Sequence, residues 1–263
     1  WAMVHVADEP RARPLPVLPE HAVGAVRLER SLHRLLAAPE ALLDEAGALA
    51  VQGFLSIADA LDGPRTSFVD DGVGGLGQPV DLLVFGRAAL GDGGTSAAPL
   101  CVPPFALVTS VTGDETEALL TRMARLFATI ANAERAQQGK QPFQLRARRG
   151  EHDGHGLVAE PVAWAGPGLP PVEDQLTPTL WFERGHVALA STHAAAVAAV
   201  RAANAGGEPA FGDRVELRGP ALAEFVARNR AALELGRVLD EGETPAQAAR
   251  FVGPEVGQAG ALL

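Results

Sequence analysis

Pro178–Ala205, PTLWFERGHVALASTHAAAVAAVRAANA, is the stretch from which the fold is read. Thr179–Arg184 and His186–Ser191 are short runs of apolar and aromatic residues parted at Gly185, whose tolerance of positive φ suits a tight hairpin turn. Ser191 or Thr192 stands where a helix N-cap belongs. The alanine-rich run behind them stops at Gly206-Gly207. The stretch predicts strand, turn, strand and capped helix.

Working outward, Pro104–Val111 reads as a strand and ends in Thr112-Gly113-Asp114. Asp114 with Glu117 forms a capping-box pattern for a helix to about Gln138, with the stripe Leu119, Leu120, Met123, Leu126, Phe127 and Ile130 at helical spacing and Gly139 as its stop. Phe143, Leu145 and Ala147 alternate with Gln144, Arg146 and Arg148, as in a half-exposed strand. Gly150–Gly156 turns the chain and Leu157–Trp164 returns antiparallel. Residues 104–205 therefore read β-α-β-β-β-β-α. The predicted class is α+β, an α/β sandwich with helices packed on a largely antiparallel sheet.

Four segments organise the chain: a Pro-rich lead-in over 1–20, a strand-helix-strand piece over 21–103, the main unit over 104–210, and a strand-helix piece over 211–263. In the second, Ala22–Leu28 is a strand, Ser31 and Pro39 open two helical pieces, Ser67–Gln78 is a Gly- and Asp-rich loop, and Pro79–Gly86 (PVDLLVFG) is an apolar strand. In the fourth, Val215–Leu217 is a strand, Pro220 opens a helix, and Thr244-Pro245 caps a short final one. Ala25-Val26-Arg27-Leu28 and Arg214-Val215-Glu216-Leu217, each leading into a helix, echo one another and suggest a partial internal duplication; two similar strand–helix junctions also arise by chance.

The 263 residues are 47% hydrophobic and carry a net charge of −10, and Lys140 is the only lysine. An acidic excess argues against nucleic acid, whose phosphates need clustered Lys and Arg. Cys101 stands alone, so no intrachain disulfide or cysteine metal site exists, and its apolar neighbours suit a core residue better than a nucleophile. No apolar run approaches the length that spans a bilayer. The chain starts at Trp1 rather than Met, and the expectation is an exported protein from which a signal segment has been removed.

Several elements resemble a bacterial family of secreted or envelope-associated proteins known only as a domain of unknown function. They are Leu18-Pro19-Glu20-His21-Ala22-Val23 with Val26-Arg27-Leu28, then Pro104-Phe105-Ala106-Leu107-Val108 before a long helix, and above all Thr179–Ser191 with Ala195, Ala196 and Val197. Glu183-Arg184-Gly185 departs from the family's Asp-Gly turn, and Thr192-His193 from its Ser-Pro cap. The resemblance implies export to the periplasm or cell envelope, and it transfers no catalytic residue.

The sharpest chemical cluster is Glu151-His152-Asp153-Gly154-His155. Two imidazoles and a carboxylate at alternate turn positions suit zinc, and His186 or His193 of the neighbouring hairpin would complete the set. The predicted metal ligands are His152, Asp153, His155 and His186; the competing reading is a solvated turn. Gly72-Val73-Gly74-Gly75-Leu76-Gly77 spells GxGxxG, but it lacks the preceding strand and following helix of a dinucleotide site. Asp70 and Asp71 with Asp92 offer a carboxylate site without calcium-loop spacing. Ser191 near His193 lacks a nucleophile elbow. Trp164 and Trp181 read as core residues, or as the lining of a glycan or peptide groove. Arg146, Arg148 and Arg149 form a basic run that solubilises a strand or meets an acidic partner. The expectation is a non-catalytic exported protein with an envelope or interaction role. The alternatives are a metal-dependent hydrolase on the Glu151–His155 turn and a glycan- or peptide-binding module.

Overall fold

The structure is a computed structural model and describes residues 13–18, 22–29, 31–41, 43–62, 67–86, 103–161, 176–210, 212–240 and 242–250. In chain order the elements are β1 (Arg13–Pro14), β2 (Ala22–Leu28), α1 (Leu32–Ala37), α2 (Glu45–Asp62), β3 (Val80–Phe85), β4 (Phe105–Ser110), α3 (Asp114–Gln137), β5 (Phe143–Arg149), β6 (His155–Pro161), β7 (Thr179–Glu183), β8 (His186–Ala190), α4 (His193–Ala205), β9 (Pro209–Ala210), β10 (Arg214–Leu217) and α5 (Gly219–Asp240). The class is α+β. Residues 104–205 fold as β4-α3-β5-β6-β7-β8-α4, the order read from sequence.

Among the described residues the main sheet has eight strands in the order β10-β2-β3-β4-β8-β7-β6-β5, every pair antiparallel. It joins strands from three of the four sequence segments. The two echoing strands, β2 and β10, are neighbours, with Val26 opposite Val215. Glu183 leads into Arg184 and Gly185, both at positive φ, which is the backbone a two-residue hairpin requires.

Side chains alternate between faces along a strand, so the register sorts them. On one face Leu83, Ala106, Val108, Trp181, Ala188 and Ala190 meet α4, whose Ala195, Ala196, Ala199 and Val200 are fully buried. Alanines let the helix approach the sheet closely. Thr192 caps α4, its hydroxyl accepting from Ala195 N–H at 3.2 Å, and Gly206 at φ 60° ends it. On the other face α3 covers Leu180, Phe182 and Val187. Beyond α3, a second cluster joins Ala58, Phe68, Val73, Leu119 and Met123, and Phe54 of α2 stacks on Phe127 at 5.2 Å.

Several sequence expectations change. The second helical piece begins at Glu45 rather than Pro39, because Asp44 caps it, its carboxylate accepting from Gly47 N–H at 2.8 Å. Ser67–Gln78 contains a Ser67-capped π-helical turn over Phe68–Gly72 and a 3-10 turn over Val73–Gly75. Gly113, not Asp114, is the N-cap of α3, and Glu117 reaches the sheet instead of capping. Part of the lead-in is built into the fold: β1 pairs with β9, and Leu18 is buried against the α4-side core. Cys101, Trp164 and Asp92 lie outside the described residues.

Arg27 of β2 and Asp81 of β3 face each other on the α4 side, 3% and 6% exposed. Arg27 Nε and Nη2 donate to the two Asp81 oxygens at 2.8 and 2.9 Å, and Nη2 also donates to the Pro14 carbonyl at 2.7 Å. Such a pair stabilises little against an apolar substitute, but a lone partner left behind is a buried, unpaired charge. Asp81→Ala is expected to destabilise the protein by about 3–5 kcal/mol in urea unfolding, and Arg27→Met with Asp81→Leu to recover most of that loss. Ala199→Leu, which overfills the contact between α4 and the sheet, is expected to cost about 1–3 kcal/mol in the same measurement.

Candidate functional site

The turn that joins β5 to β6 holds His152 and Asp153 at φ 53° and 62°, closed by Gly150 N–H donating to the Gly154 carbonyl at 2.7 Å. His155 opens β6 and shares the α3 face with its cross-strand neighbour Phe182, on which its ring stacks at 5.7 Å. Its Nε2 lies 2.5 Å from Glu117 Oε1 and its Nδ1 lies 3.1 Å from the Asp153 carbonyl. With an acceptor at each nitrogen the doubly protonated ring is favoured, and the Glu117 bond foremost raises the His155 pKa above 6.5. His186 sits on the opposite face, its Nδ1 3.1 Å from Asn204 Oδ1 of α4. Glu151 pairs with Arg201 at 3.1 Å. The four predicted ligands are thus not brought together. Among the described residues no group of three or more His, Cys, Asp or Glu is placed to hold a metal ion.

On the α4 face Trp181 is 1% exposed, so it belongs to the core and lines no groove. Its Nε1 donates to Glu183 Oε2 at 3.4 Å, and the His193 ring stands edge-on to it at 4.8 Å. Gly150 and Gly154 close over the indole, where an added Cβ would lie 2.8 Å from Cζ2. Burial chiefly, and Arg148 next, push the His193 pKa below 6.5. Ser191 is not paired with His193: its hydroxyl accepts from Phe105 N–H at 2.9 Å, which ties β4 to the end of β8.

The π-helical turn holds Asp70 and Asp71, two of the three predicted carboxylates, and Asp59 of α2 supports it. Asp71 accepts from Ser67 N–H at 2.8 Å, Asp59 accepts from Phe68 N–H at 2.7 Å, and Asp70 Oδ1 meets His33 Nε2 at 2.8 Å. The His33 bond holds Asp70 below the usual carboxylate range. Asp59 and Asp70 border an open cleft of about 490 Å³ whose other walls include Leu36, Leu55 and Val69. Of the GxGxxG glycines, Gly72 and Gly77 serve packing, since an added Cβ would lie 2.7 Å from Leu119 Cδ2 and 1.9 Å from Ser110 Oγ.

Among the described residues one face of the sheet carries an accessible apolar feature, and the sequence reading missed it. Register places Val215, Val26, Leu82, Leu107, Leu189, Leu180, Leu157 and Ala147 in one cross-strand row over all eight strands. α3 buries Leu180 and Leu157, but Leu107 is 39%, Leu189 56% and Val215 64% exposed. In the adjacent row Phe105 and Leu217 are 40% and 51% exposed. No charged side chain interrupts either row between β10 and β8. The signal was present in VDLLVF and FALVTS, which are apolar at consecutive positions and so place apolar side chains on both faces.

The chain matches no family model, no curated protein and no solved structure.

The two histidines are expected to titrate in opposite directions from 6.5, His155 above and His193 below, by NMR of their ring carbons. The contribution of the His155–Glu117 pair to stability is complete below pH 6.5 and is lost as pH rises through the raised folded value. Glu117→Gln should therefore destabilise the protein at acidic pH, lose its effect in alkali, and return the His155 titration toward 6.5.

Proposed function

We propose that this chain is a non-catalytic interaction protein that engages a protein partner through the open apolar face of its sheet. The carrying observation is the uncharged run of Phe105, Leu107, Leu189, Val215 and Leu217, each 39–64% exposed. Contiguous apolar surface of this kind marks association sites, because isolated exposed leucines are common and grouped ones are not. The polar groups with suggestive sequence spacing are engaged in structural contacts: His155 with Glu117, Ser191 with Phe105, and His186 with Asn204. An exported, envelope-facing role rests on the resemblance of Leu18–Val23, Pro104–Val108 and Thr179–Ser191 to the secreted family.

A photo-activated cross-linker at position 189 should give a discrete adduct in the bacterial host, whereas the same group at the exposed Gln138 should not. Leu107→Glu should abolish the adduct. Identical labelling from positions 189 and 138, or an adduct indifferent to Leu107→Glu, overturns the reading.

A further inference from the structure

β5 is the outermost strand at the end of the sheet opposite β10, and its seven residues pair with β6 only. Alternate residues of an antiparallel strand turn both backbone groups to the same side. The hydrogen bonds settle which side each residue takes. Gly150 N–H donates inward to Gly154 O, and Ala159 N–H donates away from β5, to Pro178 O. Gln144, Arg146 and Arg148 therefore hold the β6 ladder, while Phe143, Leu145, Ala147 and Arg149 direct their N–H and C=O groups outward.

At Phe143 this outer edge already has a partner that mimics a strand. Asn132 of α3 accepts from Phe143 N–H at 2.7 Å and donates to Phe143 O at 3.0 Å, the reciprocal pair a neighbouring peptide unit would make. Arg135 stacks over the same ring at 4.3 Å. Beyond Phe143, no strand among the described residues pairs with the outward groups of Leu145, Ala147 and Arg149. Free edges are normally blunted by short length, proline, a bulge, or charged side chains, which repel a like-charged strand but not one of opposite charge. β10 is four residues long and carries Arg214 and Glu216. β5 is longer, unbulged, proline-free and acid-free, and its charges are Arg146, Arg148 and Arg149. Glu160 is placed to pair with Arg146 and Arg148, so the edge keeps an excess of positive charge on a chain of net charge −10.

We infer that the outer edge of β5 over Leu145–Arg149 is a strand-addition site for an extended acidic segment of a partner protein. Backbone pairing with Leu145, Ala147 and Arg149 would supply affinity, carboxylates alternating along the segment would share the face of Arg146 and Arg148, and Arg149 adds to the positive field at the edge. The site is separate from the apolar face and stands whether or not that face binds a partner.

The test titrates the isotope-labelled full chain with a peptide of alternating Thr and Glu, and with its alternating Thr and Lys counterpart, while reading backbone amide shifts. Shifts concentrated at Leu145, Ala147 and Arg149 are expected with the acidic peptide alone. Ala147→Pro removes one outward donor without touching the β6 ladder and should weaken binding about tenfold, whereas Ala147→Thr should retain it. Arg149→Glu should also weaken it, which keeps the test decisive if the proline variant does not fold. No response to the acidic peptide, an equal response to both peptides, or binding unchanged in Ala147→Pro and Arg149→Glu would overturn the proposal. Loss of the cross-linked adduct at position 189 bears on the apolar face alone.

Discussion

A strand side chain has two directions available, and the register of the eight-stranded sheet fixes that choice for nearly every residue that matters in this protein. Arg27 and Asp81 occupy the same cross-strand position, so they are buried together beneath the α4 side rather than apart. His155 and His186 differ in parity, so two histidines only two strands apart in the sheet lie on opposite faces. A slip of one residue in β2 or β3 would break up the buried ion pair, and one in β7 would turn Trp181 to the other face. In the β2–β3 pair register is held by the bidentate Arg27–Asp81 contact. In the hairpins it is held by turn backbone: Arg184-Gly185, and His152-Asp153 closed by glycines.

Much of this order was legible in the sequence, because local chemistry and global packing agree. The β7–β8 hairpin, the capped α4 and the alternation in β5 each carry a local signal that the fold keeps. The Gly139 stop of α3 is another: Lys140 N–H reaches the Arg135 carbonyl and Gly139 N–H the Ala136 carbonyl. What failed to show were contacts between distant segments. Glu117 sits at a capping-box position, yet its carboxylate meets the His155 ring, 38 residues away, rather than the backbone of its own helix. The π-helical turn at 68–72 could not be read because its support comes from Asp59 of α2, whose carboxylate takes Phe68 N–H.

The candidate chemistry turns on a related ambiguity. Histidine, aspartate and glycine in a short run are the residues of a metal loop and also those of a tight turn at positive φ. Spacing alone does not separate the two. Here the deciding facts are three-dimensional: the turn backbone places His152 and Asp153 in the left-handed region, and the strand that follows aims His155 at α3. The open apolar face eluded the reading for the opposite reason. Consecutive apolar residues in β3 and β4 look like a strand covered on both sides, and sequence carries no direct record of which helix does the covering.

Why one face stays partly open follows from the size of a helix. α3 is tied along the β5–β6 hairpin at three points: Glu117 to His155, Asn132 to Phe143, and Arg135 to the Gln141 carbonyl. From Glu117 to Asn132 a helix rises about 22 Å, and Phe143 to Arg149 spans about 20 Å of strand, so the helix lies along the strands rather than across them. A helix about 10 Å wide then shades roughly two strands spaced about 4.8 Å apart. Covering eight strands would take several helices side by side. On this face α3 covers the β5–β7 end, while α1 and α2 pack on the turns at 68–75 and on α3. The exposure of Leu189, Leu107 and Val215 is thus the geometric consequence of a helix anchored at one end of a wide sheet. The same anchoring brings Asn132 to the β5 edge, where its amide completes the first outward-facing peptide, while no strand among the described residues pairs with the rest of that edge.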